Sequence, residues 1–352
     1  MRTGIADLPL HYGKAPRWLF EKMVKLSRAI IEAVVVESGP QEFLRRISDP
    51  FWFQALGSVL GFDWHSSGVT TTVCGAMKEA TKQIADDLGL YFCGGKGSTS
   101  RKTPNEIEKI SERIALNPRR LVYSSKMSAK IDNTCVQDGY NLYHHVFIFT
   151  KSGDWSVVQQ GMNTDNHLAR RYHWLSLNLK SYVCEPHRAI CCDQTKPSLN
   201  MVAQESELTR QVVTEISKIA PDRILEETKR ILKMPFRHPI LKLDINPNYF
   251  YKILLKTYEK NPSNFENFIS IEGVGPKTVR ALALIGELLY GSKPSFRDPA
   301  RYSFAHGGKD GFPYPVNRET YNQSVAFLES AIKRAKMGKH DKLRALKRLA
   351  YM

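Results

Sequence analysis

Two hydrophobic periods divide the chain. In "APRWLFEKMVKLSRAIIEAVVVESG" the apolar residues Leu19, Met23, Leu26, Ile30 and Val34 recur every three or four positions, the spacing of one helix face. Gly39-Pro40 follows as a stop. "SDPFWFQALGSVLG" predicts a second helix, with Ser48 or Asp49 as its cap and Pro50 in its first turn. A further helix is expected over about 72–88, ahead of a flexible cationic loop, "CGGKGSTSRKTPN". From about 121 to 192 the pattern shifts to β-branched and aromatic runs. "LYHHVFIFT" and "WSVVQQGMN", separated by the turn "KSGD", predict a hairpin over 142–163. Setting Thr150 against Trp155 pairs His145 with Gln160 and Val146 with Gln159. Side chains alternate along a strand, so His144 and His145 point to opposite faces.

Helical patterning returns at about 201 and is interrupted over 291–316 by the Gly/Pro-rich stretch "GSKPSFRDPARYSFAHGGKDGFPYPV". It resumes near Glu319. The expected class is therefore α+β in three regions: a mainly helical 1–120, a β-rich 121–200 and a helical 201–352.

Length and composition narrow the class. A chain of 352 residues with 42% hydrophobic content supports a large core. No apolar run approaches the ~20 residues needed to cross a bilayer, and "MRTGIADLPLHYG" lacks a secretory layout. A soluble cytoplasmic protein without a membrane partner is expected. The six cysteines form no C-x-x-C pair, which disfavours a disulfide scaffold or a four-cysteine metal site. The 51 basic residues against 35 acidic give a net charge of +16. Such an excess suits a polyanion, whose condensed counterions are released on binding. Eight Lys/Arg fall between Lys333 and Arg348, against one acid, Asp341. Nucleic acid is the first expectation and an acidic membrane surface the second.

"FENFISIEGVGPKTVRALALIGELLYG" carries the sharpest local signal. Glycines 273 and 275 allow a tight turn or a close approach, and Pro276 suits a first helical position. Exposed amides at a helix start attract anions. Over 265–290 the segment resembles the helix-hairpin-helix DNA-binding motif, with "GVGPKT" as its core. That resemblance implies that Gly273, Gly275, Lys277 and Thr278 grip a phosphodiester without reading bases, and it favours DNA. In bifunctional glycosylases with this motif, a lysine at the position of Lys277 forms a Schiff base and an aspartate follows some twenty residues later. Asp298 stands at that distance here, although "PARYSFAHGG" after it departs from the glycosylase pattern.

Other polar groups are candidates for chemistry. "GFDWHSSGVTTTVCGA" sets Asp63 and His65 ahead of a helix start, where they could polarise a water or merely cap. "AKIDNTCVQDGYNLYHH" offers Asp132, Asp138 and His145, with Gln160 on the partner strand. Asp132, Asp138 and His145 are candidate ligands for Mg²⁺ or Mn²⁺ in metal-assisted phosphodiester hydrolysis, although no ligand-spacing motif accompanies them. "RRYHWLS" and "CEPHRA" add Arg170, Arg171, His173, Glu185 and His187, the two arginines being expected to meet backbone phosphate. "FAHGGKDG" places Lys309 after two glycines, another phosphate cradle, too short for a P-loop.

The segments "TGIADLPLHYGKAPRWL", "DPFWFQALGSVLGFDWHSSGVTTTVCGAMKEA", "VVQQGMN", "RRYHWLS" and "YSFAHGGKDGFPYPV" together resemble domain-of-unknown-function family 763, found mainly in archaea and thermophilic bacteria. The resemblance covers nearly the whole chain and implies no particular activity. Three functions are open on these residues: a metal-dependent nuclease in DNA repair or processing, a non-catalytic DNA-binding protein, or a glycosylase/lyase using Lys277 and Asp298.

Overall fold

A computed structural model describes residues 15–62, 67–192, 195–232, 246–300, 318–335 and 338–350. Helices α1 (Arg17–Ser38), α2 (Pro40–Ser48), α3 (Pro50–Leu60), α4 (Gly68–Thr81) and α5 (Ala85–Leu88) lead into strand β1 (Leu90–Lys96). Helices α6 (Thr103–Arg113) and α7 (Arg119–Thr134) precede β2 (Val136–Gln137). Strands β3 (Asn141–Thr150), β4 (Trp155–Asn163) and β5 (Leu168–Leu175) then form a meander, followed by β6 (Ala189–Cys191) and β7 (Leu199–Asn200). The C-terminal part contains α8 (Glu207–Ile216), α9 (Pro221–Leu232), α10 (Pro247–Lys260), α11 (Phe265–Ser270), α12 (Pro276–Tyr290), α13 (Arg318–Arg334) and α14 (Lys339–Ala350). The class is α+β, as expected.

Local chemistry accounts for several of these boundaries. Asp49 caps α3, its Oδ1 accepting from the amides of Phe51 and Trp52 at 2.9 Å. The chain leaves α3 through Gly61 at φ +100°, a conformation that suits glycine.

One antiparallel sheet in the order β1-β3-β4-β5-β6 organises the molecule. Phe147, Phe149, Trp155, Val157, Tyr172 and Trp174 face one core, shared with α6, α7 and the helices from α8 to α12. Val146, Ile148, Val158 and Ala169 face the other, shared with α1–α4, α13 and α14. Both faces are covered, so strands that read as continuous apolar runs are buried on each side.

Three expectations are corrected. Phe149, not Thr150, stands opposite Trp155, so His145 pairs with Gln159, His144 with Gln160 and Val146 with Val158. The physical cause is the turn. The Thr150 amide donates a hydrogen bond to the Asp154 carbonyl at 2.9 Å, and the three-residue loop between them holds Gly153 at φ +84°, a common hairpin geometry. The loop expected at "CGGKGSTSRKTPN" is also replaced, by the end of β1, a short 3₁₀ turn and the start of α6. Gly94-Gly95 reads as loop, yet a Cβ at Gly94 would lie 2.2 Å from the His145 carbonyl oxygen. Close strand approach requires the glycine there. The helix expected over 72–88 starts at Gly68 and is broken after Thr81.

All six cysteines are free thiols, five of them buried. No helix among the described residues is long and apolar enough to cross a membrane.

Candidate functional site

Helix α7 brings a polar stripe under the sheet. Ser125, Ser128 and Asp132 follow at helical spacing, and all are buried. Small serines allow the helix close to β3 and β4, where a chain of hydrogen bonds begins. His145 Nε2 meets Ser125 Oγ at 2.9 Å, and His145 Nδ1–H donates to Gln159 Oε1 at 2.7 Å. Gln159 Nε2 donates to Asp132 Oδ2 at 2.5 Å. Trp174 Nε1 donates to the same oxygen at 3.0 Å. The other oxygen, Oδ1, accepts from His187 Nε2 at 2.5 Å. Burial holds the pKa of His145 below its ordinary value, against its bond to Gln159 and the field of Asp132, so it serves as a neutral link.

His187 is the outer end of this chain. Its ring packs edge-on against Trp174 with centroids 4.6 Å apart. It also lines a pocket of about 470 Å³ together with Lys180, Cys184, Glu185 and Arg188. The side chain of Asp132 is fully buried, whereas that of His187 keeps 7% exposure. A buried acid that orients an imidazole lining a pocket can serve proton transfer.

Asp138 belongs to a different network. Its Oδ2 accepts from Arg170 Nη1 at 2.8 Å and from Tyr172 Oη at 2.7 Å, and its Oδ1 accepts from the Tyr140 amide at 3.0 Å. Asp298 takes Arg170 from the other side, with Oδ1 and Oδ2 each 2.9 Å from a guanidinium nitrogen. Burial works against the charge on Arg170, but Asp138 and then Asp298 outweigh it and hold the pKa well above the usual value. Asp298, the carboxylate a Schiff-base mechanism would use, is thus bonded to Arg170.

The opposite face carries Gln160 and Arg171. Gln160 accepts from Thr70 Oγ1 and donates to the Ser67 carbonyl at 3.0 Å and to Tyr143 Oη at 2.5 Å. Arg171 donates to Gln54 Oε1 at 3.1 Å and to His173 Nε2 at 2.9 Å. Burial lowers its pKa to about 10. Arg170 and Arg171 are both at 0% exposure, which corrects the expectation that they meet backbone phosphate: strand alternation sends each into a core. Asp63 and His65 lie outside the described residues, as does Lys309.

Of the candidate ligands, Asp132 and His145 are joined through Gln159, whereas Asp138 belongs to the separate Arg170 and Tyr172 network. Among the described residues no three His, Cys, Asp or Glu side chains are placed to hold a metal ion.

The "GVGPKT" segment comprises the end of the turn between α11 and α12 and the first residues of α12, which starts at Pro276. Gly273 has φ +94°, and a Cβ there would sit 2.4 Å from Ile253 Cδ1, so packing explains that glycine. Gly275 is extended at φ −134°, and the nearest atom to a Cβ there is a carbonyl 3.8 Å away. Nothing in the described chain requires glycine at 275. Lys277 is exposed, whereas the Thr278 side chain is buried, leaving Thr278 its backbone amide to offer.

A basic groove of about 810 Å³ runs between α1 and α14. Lys22, Lys25 and Arg28 line it from α1, and Arg344, Lys347 and Arg348 from α14, with Asp341 as the acid among them. Trp18 stands 62% exposed at one end, with the Lys22 ammonium 5.9 Å from its ring centroid. The α1 residues from Trp18 to Arg28 form one stripe about 15 Å long at 1.5 Å per residue.

The family model described as "Protein of unknown function (DUF763)" matches residues 4–316. The chain belongs to that family. No curated protein and no solved structure matches it.

In the sequence Asp132 and His187 stand out only as separate polar candidates. Their pairing spans 55 residues and has no local signature. The polar stripe on α7 was the available clue, because Ser125, Ser128 and Asp132 share one helix face with apolar Leu121.

Proposed function

We propose that this protein binds nucleic acid through the sugar–phosphate backbone, without reading base sequence. The observation that carries the reading is the α1/α14 groove, which sets six cations against one acid along two facing walls. A polyanion in such a groove would release counterions from its length. A concave site with cations on both walls suits a strand better than a flat lipid surface. Exposed Trp18 offers a stacking face of the kind that holds bases without discriminating between them. The turn at Gly273–Pro276 would add a second phosphate contact through backbone amides at the start of α12, where the helix dipole favours an anion. A glycine at 275 that the fold does not require is consistent with close approach from outside.

Fluorescence anisotropy on labelled single-stranded and duplex oligonucleotides tests this. Lys25→Glu with Arg344→Glu should weaken binding roughly tenfold or more, because both lie on the groove walls. Gly275→Val should fold normally and weaken duplex binding. Wild-type protein that binds neither oligonucleotide at low salt would refute the reading.

A further inference from the structure

The pocket beside His187 is not needed to grip a backbone, and its chemistry points elsewhere. We propose that the Asp132–His187 pair is a metal-independent acid–base site that cleaves RNA by internal transphosphorylation. The choice of RNA rests on the nucleic-acid reading above. The acid–base role rests on the geometry alone.

His187 is fixed on two sides. Its Nε2–H is spent on Asp132 Oδ1 at 2.5 Å, and its ring lies against Trp174. Asp132 is itself held by Gln159 and Trp174 through its second oxygen. This arrangement sets the tautomer, so the lone pair is on Nδ1, which has no partner among the described residues. An imidazole oriented by a buried carboxylate is a recurrent device for taking a proton from a nucleophile. No hydrogen bond joins His187 to Cys184 among the described residues, and in this proposal the nucleophile is a hydroxyl of the substrate.

The pocket also fits that substrate in size and charge. Its volume of about 470 Å³ lies within the range of small-ligand sites, about 300–1,000 Å³. Lys180 and Arg188 outnumber Glu185 on its walls, which favours an anion. Glu185 holds a positive φ of 45°, rare for a residue with a side chain. Two bonds keep it there: its amide donates to the Val202 carbonyl at 2.8 Å, and its Oε1 accepts from the Gln204 amide at 3.3 Å. Local strain of this kind concentrates at functional sites.

In the step itself, His187 Nδ1 takes the proton of a ribose 2′-hydroxyl. The 2′-oxygen attacks the adjacent phosphorus, and a new P–O2′ bond forms as the P–O5′ bond breaks. The departing 5′-oxygen takes a proton from water at the pocket mouth, and the imidazolium returns one to solvent. The products are a 2′,3′-cyclic phosphate and a 5′-hydroxyl, with no change in oxidation state. DNA lacks the 2′-hydroxyl and is left intact.

The test is incubation of labelled RNA, DNA and an RNA with 2′-deoxy linkages, with full-length protein in EDTA, Mg²⁺ or Mn²⁺. Wild type, His187→Gln and Asp132→Asn are purified identically, and RNA binding is measured in parallel by anisotropy. Gln at 187 can still donate to Asp132, so the fold should survive. The expected result is RNA cleavage in EDTA with cyclic-phosphate ends, no cleavage at deoxy linkages, and a loss of roughly 100-fold or more in His187→Gln. RNA affinity should stay within about twofold, as a group acting in the transition state contributes little to ground-state binding. RNA that is bound but not cut, cutting that requires metal, or cutting unchanged in His187→Gln would each overturn the site while leaving the binding proposal standing. Absence of RNA binding would instead refute the binding proposal.

Discussion

His144 and His145 are neighbours on β3 and almost equally buried, at 1% and 6% exposure, yet they sit in opposite situations. His145 faces α7, and both of its ring nitrogens are bonded, one to Ser125 and one to Gln159. His144 faces the α1–α4 layer, and neither ring nitrogen has a hydrogen-bond partner among the described residues. Burial first, then the neighbouring His145 ring and Lys96, which disfavour a second positive charge there, depress its pKa to about 3. The α7 side builds a continuous polar path through Gln159 and Asp132 to a pocket, whereas His144 is a desolvated ring. Polar residues at a sheet centre therefore do not mark a site by themselves; connection to a cavity does.

The largest expected effect tests the ion network on the α7 face. Arg170→Met removes the cation between Asp138 and Asp298, and a buried carboxylate left unpaired should cost roughly 3–5 kcal/mol. Denaturant unfolding at neutral pH would measure this. A cost below about 1 kcal/mol would mean that the network is not formed.

The two histidines provide the next comparison. His145→Leu strands Ser125 and Gln159 in the core and should cost roughly 1–3 kcal/mol, whereas His144→Leu strands nothing and should be neutral or stabilising. Equal costs would contradict the difference between the faces.

Acid sensitivity should separate them further. His144 has a folded pKa of about 3 against an ordinary 6.5, and His173 is also held well below 6.5, by burial and by Arg171. Below pH 6.5 the unfolded chain takes up protons that the folded chain refuses. The contribution of His144 is therefore complete above 6.5 and is lost as pH falls toward 3, at about 1.4 kcal/mol per unit, and that of His173 is lost in the same direction. His144→Leu should make the acid limb of stability against pH shallower by one such increment, and an unchanged limb would place His144 in a more solvated site.

The smallest effect on stability belongs to the groove. Lys25→Glu with Arg344→Glu should shift unfolding by no more than about 0.5 kcal/mol, because both side chains are exposed, while it changes ligand affinity strongly.

Much of the fold was legible in periodicity. The helical pattern from Leu19 to Val34, the cap at Asp49 and the hairpin strands all reflect local chemistry that a sequence displays directly. The one-residue register error at Phe149 arose because turn geometry, not strand composition, sets hairpin register. Strand β1 was hidden because Gly94 is required by a neighbour 51 residues away, His145. The candidate site was less legible for the same reason. Asp132 and His187 meet only after α7, β4 and β5 have packed, and Trp174, which orients both, reads in sequence as an ordinary core residue. Arg170 and Arg171 misled in the other direction, since strand alternation buries two charges that looked available for phosphate.

Backbone binding by the α1/α14 groove is tested most directly by the salt dependence of affinity for a single strand of about 16 nucleotides. For wild type, log K should fall linearly with log salt, and the slope should be shallower by roughly 0.7 for each groove cation removed. Lys25→Glu with Arg344→Glu should therefore flatten the slope by about 1.4 or more. An unchanged slope in that variant would show that nucleic acid does not occupy the groove.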